Sequence, residues 1–281
     1  MTDGLVTDGL VVVDKPPGWT SHDVVAKCRG IFGQKRVGHA GTLDPDATGV
    51  LLVGLGRVTR LLRFLSALPK SYECEVVLGV ETSTLDASGE VIAQHDMGSV
   101  APDDARAAAS RFVGEIEQVP PMVSAVKVGG RRLHALARQG VEVERAARPV
   151  TVHRFEVTAT GEPGLLRAEV DCSSGTYVRS LVADLGAALG GGAHLRNLRR
   201  LAVGSFTVTG AHPLEALEVL SPAEAVRDYP SVVVDAETAT HVAHGRPVDV
   251  GRTDSCGVLD ESGALLAMYE NGRPAVVVAP R

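Results

Sequence analysis

The sequence predicts an α+β protein that ends in a shorter, β-rich stretch. Three observations lead to this class. Apolar residues recur at helical spacing in residues 24–32 and 178–189, which is typical of amphipathic helices. Apolar and polar residues alternate as in half-buried strands in residues 71–79, 150–160 and 165–172. From about residue 228, short β-type runs alternate with turns such as Asn271-Gly272.

Composition narrows the class of protein. The chain has 281 residues, of which 44% are hydrophobic and 22% charged, as expected for a globular protein with one large and one small domain. Its four cysteines are scattered, without a CxxC pair, which argues against a zinc site and a disulfide framework. No apolar run is long enough to cross a membrane, and the first residues lack a signal-peptide pattern, so we expect a cytoplasmic protein.

Charge is unevenly distributed along the chain. The net charge of −6 argues mildly against a nucleic-acid partner. Lysine and arginine nevertheless cluster in residues 54–70, 127–154 and 192–206, whereas acidic residues gather in residues 86–104 and 215–237. Two interpretations remain open: the basic segments attract phosphates locally, or they are solvated faces of ordinary elements.

The N-terminal part predicts a strand, a rigid turn and a helix. A short β-type run ends at Lys15, and Pro16-Pro17-Gly18 makes a stiff turn. Ser21 is the predicted N-cap of the helix that follows. We expect Lys15 to have a structural role close to a site.

Residues 38–52, GHAGTLDPDATGVLL, are the most informative stretch. Gly38 and Gly41 permit tight backbone, and Pro45 stiffens the turn that carries Asp44. Residues 49–56 predict a buried strand behind this loop. Taken singly, an Asp-Pro pair is usually a turn and a histidine among glycines a spacer, but such loops often carry function.

The middle of the chain predicts further helices and strands. Residues 57–67 predict an amphipathic helix with Arg57, Arg60 and Arg63 on its outer side, and residues 103–113 a second helix. A hairpin is expected around residues 161–164, and Ser173 or Ser174 as the cap of the next helix. Arg179 lies beside the apolar stripe of that helix, and a buried arginine requires an acidic partner.

Four segments together resemble the TruB family of tRNA pseudouridine synthases. They are KPPGWTS with GHAGTLDPDATGVLL, then KSY with GVETSTLDASGE, then SSGTYVRS, and finally GGAHLRNLRRLAVGSF. They occur in family order and span about residues 9–206. Three positions depart from the family: Asp46 replaces an apolar residue, and Val123 and His134 replace aromatic ones.

The resemblance implies a fold and a domain organisation. It implies a pseudouridine synthase fold with a mixed, mainly antiparallel central sheet flanked by helices. Residues 1–228 would form the catalytic domain, with a tRNA-gripping insertion at about 118–150. Residues 229–281 would form a small β-rich, PUA-like RNA-binding domain, although a β-rich tail packed on the main domain is an equal alternative.

The resemblance also implies an activity: isomerisation of uridine 55 in the tRNA T-arm to pseudouridine, with Asp44 as the catalytic carboxylate. It implies no metal, no organic cofactor, no membrane and no obligate protein partner. The implied substrate-binding residues are His39, Tyr72, Tyr177, Arg179 and Leu198, with Asp44 as the acidic partner of Arg179. Candidates for supporting or RNA contacts are Lys15, Asp86, Lys127, Arg131, Arg132, Arg199 and Arg200.

A phosphate-binding nucleotide enzyme is disfavoured, since neither GxxxxGK[ST] nor GxGxxG occurs. The alternative that remains is a non-catalytic tRNA-binding or tRNA-folding protein on the same scaffold.

Overall fold

The computed structural model describes residues 7–122, 127–128, 131–132 and 143–279. The chain divides into two compact units, one formed by Met1–Leu68 with Leu201–Arg281 and the other by Pro69–Arg200. Each contains antiparallel strands and helices, which confirms the α+β class.

The elements follow in chain order. Up to residue 118 they are β1 (Gly9–Lys15), α1 (Ser21–Ile31), β2 (Val37–Ala40), β3 (Thr48–Leu55), a 3₁₀ helix (Gly56–Leu61), α2 (Leu62–Ala67), β4 (Lys70–Leu78), β5 (Val80–Thr82), β6 (Val91–Gln94), α3 (Pro102–Ser110) and β7 (Gly114–Gln118). Then come β8 (Lys127–Val128), β9 (Arg131–Arg132), β10 (Arg148–Ala159), β11 (Leu165–Cys172), α4 (Val178–Ala188), β12 (Ala193–Val203), β13 (Phe206–Thr207), 3₁₀ helices Val208–Gly210 and Glu224–Val226, β14 (Ser231–Val233), α5 (Ala236–Ala243), β15 (Cys256–Leu259), β16 (Leu265–Glu270) and β17 (Arg273–Val277).

Strand β3 is central to the first unit. It pairs antiparallel with β1, from Gly9 opposite Leu55 to Lys15 opposite Gly49, and also with β2. Residues 49–55 of β3 are all buried, so the predicted buried strand is confirmed. Because β2 and β3 are antiparallel neighbours, the residues between them form a loop at one end of the pair.

Two local predictions in this unit were wrong. Thr20, not Ser21, caps α1, and it forms a capping box with Asp23. Residues 57–67 do not form one helix, because a 3₁₀ helix precedes the short α2. The Thr59 hydroxyl donates to the carbonyl of Gly56 at 2.7 Å, and so competes with the α-helical bond to that oxygen.

The C-terminal part of the first unit forms a four-stranded sheet. Strand β14 is parallel to β15. Strand β16 lies between β15 and β17 and is antiparallel to both. Asn271 and Gly272, with φ of 52° and 70°, connect β16 to β17 in the two-residue turn that their sequence predicts. A small core of its own, which includes Val242 of α5 and Tyr269 of β16, lies on this sheet.

The same sheet also contributes to a larger core of the first unit. Leu265 and Met268 of β16 join Leu10 and Phe64 in one buried cluster. The Tyr229 hydroxyl donates to the carbonyl of Phe64 at 2.9 Å. The domain boundary after residue 228 stays a prediction.

The second unit contains an antiparallel sheet with the strand order β12, β4, β11, β10, β7. The hairpin predicted around residues 161–164 joins β10 and β11, which pair over most of their lengths. Helix α4 buries Val178, Leu181, Val182 and Leu185, as the helical spacing predicts.

The insertion predicted at about 118–150 lies in this unit, and the structure describes it only in part. The backbone of β8 pairs antiparallel with that of β9, with Lys127 opposite Arg132 and Val128 opposite Arg131. The predicted phosphate contacts of Lys127, Arg131 and Arg132, and the departures at Val123 and His134, concern side chains outside the described residues.

Candidate active site

The loop that carries Asp44 joins β2 to β3. Two residues that follow β1, Gly18 and Ser21, form hydrogen bonds with the backbone of this loop. Ser21 Oγ donates to the carbonyl of Leu43 at 3.1 Å and accepts from its N–H at 2.9 Å. The N–H of Gly18 donates to the carbonyl of Pro45 at 3.0 Å. Since Leu43 is buried as well, the backbone on both sides of Asp44 is fixed, while the Asp44 residue itself is only partly buried.

Lys15 is the strongest of these fixing residues. It is fully buried at the end of β1, and its Nζ donates to the carbonyls of Pro16, Trp19 and Pro45 at 3.0, 2.6 and 2.8 Å. A buried ammonium is stabilised only when its donors are satisfied, so these carbonyls must converge on it. Lys15 therefore ties the Pro16–Trp19 turn to the Asp44-Pro45 turn, in agreement with the structural role expected from the sequence.

His39 lies in β2, two residues before Gly41, where the loop leaves the strand. Gly41 has φ of 81°, a conformation that favours glycine. The His39 ring makes an edge contact with the ring of His22, with centroids 5.3 Å apart. Because His22 is exposed at the start of α1, the two rings lie at the border between loop and solvent.

Arg179 in the second unit is 95% buried and bound to the segment that contains Asp86. Its Nη1 donates to the carbonyl of Thr84 at 3.0 Å and lies 3.4 Å from Asp86 Oδ2. Asp86 is an acidic partner of this buried arginine, whereas the family resemblance implied only a supporting contact for Asp86. The sequence signal that could have identified this pair was an arginine beside an apolar helical stripe together with an aspartate in a turn. The predicted partnership of Arg179 with Asp44 stays a prediction.

Asp86 itself is oriented by its own turn. Its Oδ1 accepts from the Thr84 and Ser88 hydroxyls, each at 2.6 Å, and from the N–H of Ser88 at 3.1 Å. The turn includes Leu85 with φ of 62°, which is unusual for leucine. Leu85 and Ala87 each make a backbone hydrogen bond with Leu195 of β12, which holds the turn against that strand.

The start of α4 is bound through its backbone, and the predicted serine cap is wrong. Tyr177 is the N-cap residue, without a capping side chain. The side chain of Gln118, only 2% exposed, accepts from the N–H of Tyr177 at 2.7 Å and donates to its carbonyl at 3.1 Å. Ser173 instead accepts from the N–H of Thr151 at 2.9 Å. Gln118 thus replaces a local cap, and its position at the end of β7 gave no sequence signal.

Two predicted pocket residues lie on β4 and β12. Tyr72 is 9% exposed and pairs with Val170 across β4 and β11. Leu198 is partly buried and follows Asn197, whose φ of 54° interrupts the strand geometry. Arg196 and Asn197 are both exposed, so strict alternation is broken immediately before Leu198.

Three arginines of the basic segments have acidic partners within the chain. Arg57 pairs with Asp8 at 2.6 Å, Arg63 with Glu270, and Arg196 Nε donates to Glu75 at 2.6 Å. Burial alone would raise the pKa of Asp8, but the hydrogen bonds and charge of Arg57 hold it below its ordinary value. These pairings offset part of the positive charge of the basic segments.

Lys70 and Arg200, from the same two basic segments, are buried, at 7% and 1% exposure. Desolvation, together with the charge of Arg200, lowers the pKa of Lys70 to about 8. The burial of Arg200 favours a supporting, structural role over a contact with RNA. Arg199 is partly buried, and its RNA contact stays a prediction.

Within the part of the chain that the structure describes, no cluster of three or more His, Cys, Asp or Glu residues could hold a metal ion. No helix among the described residues is long and apolar enough to cross a membrane.

Solved structures share this fold. The structure "Crystal Structure of a Cbf5-Nop10-Gar1 Complex" matches with a TM-score of 0.71 at 27% identity, over 97% of this chain and 84% of that chain. "Structure of H/ACA RNP bound to a substrate RNA containing 2'-deoxyuridine" matches with a TM-score of 0.70 at 25% identity, over 97% and 86%. Together with the loop and helix described above, these matches define a protein of the pseudouridine synthase fold.

Sequence comparison identifies the family. The family model "TruB family pseudouridylate synthase (N terminal domain)" matches residues 29–178, and "tRNA pseudouridylate synthase B C-terminal domain" matches residues 179–239. The chain is 47% identical to tRNA pseudouridine synthase B of Rhodococcus jostii, over 99% of this chain and 96% of that protein. It is 46% identical to the protein of the same name from Thermobifida fusca, over 98% and 99%. The chain belongs to the TruB family of pseudouridylate synthases, as its motifs predicted.

Proposed function

We propose that this chain isomerises uridine 55 in the T-arm of tRNA to pseudouridine, in the cytoplasm, with Asp44 as the catalytic carboxylate. The observation that carries the proposal is the fixed backbone around Asp44, together with relatives named tRNA pseudouridine synthase B along nearly the whole chain. Lys15 and Ser21 hold that loop through the backbone carbonyls of Pro45 and Leu43 and the N–H of Leu43.

The reaction breaks the bond between N1 of uracil and C1′ of ribose and forms a bond from C5 to C1′. N1 gains a proton and C5 loses its own to solvent, so the products balance without an oxidant or reductant. A carboxylate can serve as a nucleophile or accept a proton. Three roles of Asp44 would allow this reaction: attack on the base, attack on the sugar, or removal of the 2′ proton.

The remaining site residues have proposed roles around Asp44. The target base must leave its stack, at a cost of a few kcal/mol, and His39 is suited to occupy the vacated space. Tyr72 offers an aromatic ring for stacking on the base, and Leu198 an apolar wall. Tyr177 would contact the substrate from the start of α4. Arg179 would orient the Asp44 carboxylate, since Asp86 and Thr84 fix its guanidinium.

The C-terminal sheet is proposed to bind RNA as a PUA-like domain. Lys127, Arg131, Arg132 and Arg199 are proposed to contact tRNA phosphates. If Arg131 and Arg132 make such contacts, replacing both with alanine lowers the log–log salt dependence of tRNA binding by about one unit for each contact.

The test of the proposal compares Asp44→Asn with Asp46→Asn, by release of tritium from tRNA labelled at uridine C5. Asp46 is exposed two residues further along the same loop, so its variant is a matched control for charge and local structure. We expect Asp44→Asn to abolish release while tRNA binding stays within a few-fold, and Asp46→Asn to retain release. Substantial turnover by a verified Asp44→Asn preparation would disprove the catalytic assignment. Wild-type protein that binds tRNA without any release would instead favour a tRNA-binding or tRNA-folding protein.

A further inference from the structure

A cavity of about 850 Å³ lies in the first unit, lined mainly by cationic and small residues. Its arginines come from the residue before β2 and from the 3₁₀ helix Gly56–Leu61. Its small residues come from the end of α5 and from the end of β17 and the residues that follow it. The lining residues are Arg36, Arg57, Arg60, Ala243, His244, Gly245, Val277 and Ala279. Neither Asp44 nor His39 lines it, so the proposed catalytic loop does not account for it.

The three arginines differ in the partners that they contact. The guanidinium of Arg57 is neutralised by Asp8, with Nε 2.7 Å and Nη2 2.6 Å from Oδ2. Arg36 Nε donates to the Thr59 hydroxyl at 3.0 Å, and Arg60 Nη1 donates to the carbonyl of Val277. These last two partners are uncharged. Among the described residues, no carboxylate lies within ion-pair distance of Arg36 or Arg60.

The cavity therefore holds an excess of positive charge. The carboxyl end of α5 opposes it, but a helix end amounts to roughly half an elementary charge, against two full guanidinium charges. Several terminal carbonyls of α5 already accept backbone hydrogen bonds, for example that of Thr240 from His244 and that of Val242 from Gly245. The net potential inside the cavity favours an anion.

We propose that this cavity binds a phosphate group of the RNA backbone through Arg36 and Arg60. Guanidinium groups bind phosphate through paired N–H donors, and both side chains retain donors beyond the single bond that each makes. The inference rests on the proposed function, in which tRNA is the substrate. It adds that the phosphate backbone of this RNA contacts the C-terminal part of the first unit. Arg60 bridges to β17 through Val277, so the C-terminal sheet helps to position a phosphate-binding residue.

The location favours a polymeric ligand over free phosphate. Arg36 directly precedes β2, and His39 lies three residues further, which is roughly 10 Å along a strand. An RNA strand can contact both places at once, whereas a single ion cannot. The volume of the cavity also exceeds what one phosphate group requires.

The test measures tRNA affinity from low to moderate salt for the wild type and for the double variant Arg36→Gln/Arg60→Gln. The matched control is Arg111→Gln, which removes one exposed charge near the end of α3, away from the cavity lining. A second double variant, Arg36→Lys/Arg60→Lys, keeps the charge and guards against a purely structural effect of the first. Tritium release at saturating tRNA is measured for every protein, and inorganic phosphate is titrated separately.

We expect the glutamine double variant to bind tRNA at least tenfold more weakly at low salt, with a log–log slope reduced by about one to two units. Its release of tritium at saturating tRNA should match the wild type, the lysine pair should restore most of the slope, and Arg111→Gln should change little. Unchanged affinity and slope in the glutamine variant, while the wild type still isomerises tRNA, would overturn this inference and leave the proposed function intact. An equal loss in Arg111→Gln, or saturable binding of inorganic phosphate to Arg36 and Arg60 without any change in the tRNA slope, would overturn it as well.

Discussion

Replacing Gln118 by methionine tests whether one buried amide holds the start of α4. Methionine has nearly the same volume, so the substitution removes hydrogen bonds with little change in packing. The N–H of Tyr177 loses the acceptor at 2.7 Å, while its carbonyl loses one donor and keeps the N–H of Leu181 at 3.1 Å. A buried donor left unsatisfied costs about 1–3 kcal/mol, and the second lost bond about 1 kcal/mol. We expect a destabilisation of about 2–4 kcal/mol in total.

The measurement is urea unfolding of the variant, with Gln94→Met as the control because Gln94 is exposed on β6 of the same unit. Since Arg179 follows Tyr177 by two residues, the proposed function adds a second readout: kcat should fall several-fold while tRNA affinity stays close to that of the wild type. A midpoint of the Gln118→Met protein equal to that of the Gln94→Met protein would refute the reasoning. It would show that water or a neighbouring group satisfies Tyr177 without the amide.

Three further predictions follow from the same unit. Arg179→Lys should lower kcat/KM by about tenfold or more, because a single ammonium cannot replace the fork that bonds Thr84 and faces Asp86; near-wild-type kinetics would count against an oriented arginine. Asp86→Asn should lower kcat/KM as well, whereas Asp96→Asn, at an exposed carboxylate, should not, and equal effects of the two would contradict the role of Asp86. Lys70 has a folded-state pKa of about 8, below its ordinary value of 10.5, so the unfolded chain binds more protons between these values. The wild type should therefore gain stability relative to Lys70→Met as pH rises from 8 to 10.5, by up to roughly 3 kcal/mol; a flat difference in urea unfolding across that window would contradict the depressed pKa.

Many features of this structure depend only on residues that are close together in the chain, and these features could be predicted from the sequence. Alternation predicted β4 and the β10–β11 hairpin, and helical spacing predicted α4, because each depends on which face of a segment is apolar. A continuous apolar run predicted the buried strand β3. The turn at Asn271-Gly272 was predicted because both of its residues tolerate positive φ. The family was recognised from runs of consecutive residues such as those of the Asp44 loop, and the sequence comparison confirms the family.

Other features depend on contacts between residues far apart in the chain, and only the tertiary structure decided them. Gln118 caps α4 across 59 residues and Asp86 meets Arg179 through space, and neither pairing leaves a periodic signal. Arg57, Arg60 and Arg63 occupy similar positions in a sequence pattern, yet their partners are respectively Asp8, Val277 and Glu270. A pattern along the chain reports which residues carry charge or apolar surface. Such a pattern does not report which other segment of the chain will approach these residues, because the packing of sheets and helices determines this. Packing therefore decides whether an arginine is neutralised, buried or left facing a cavity.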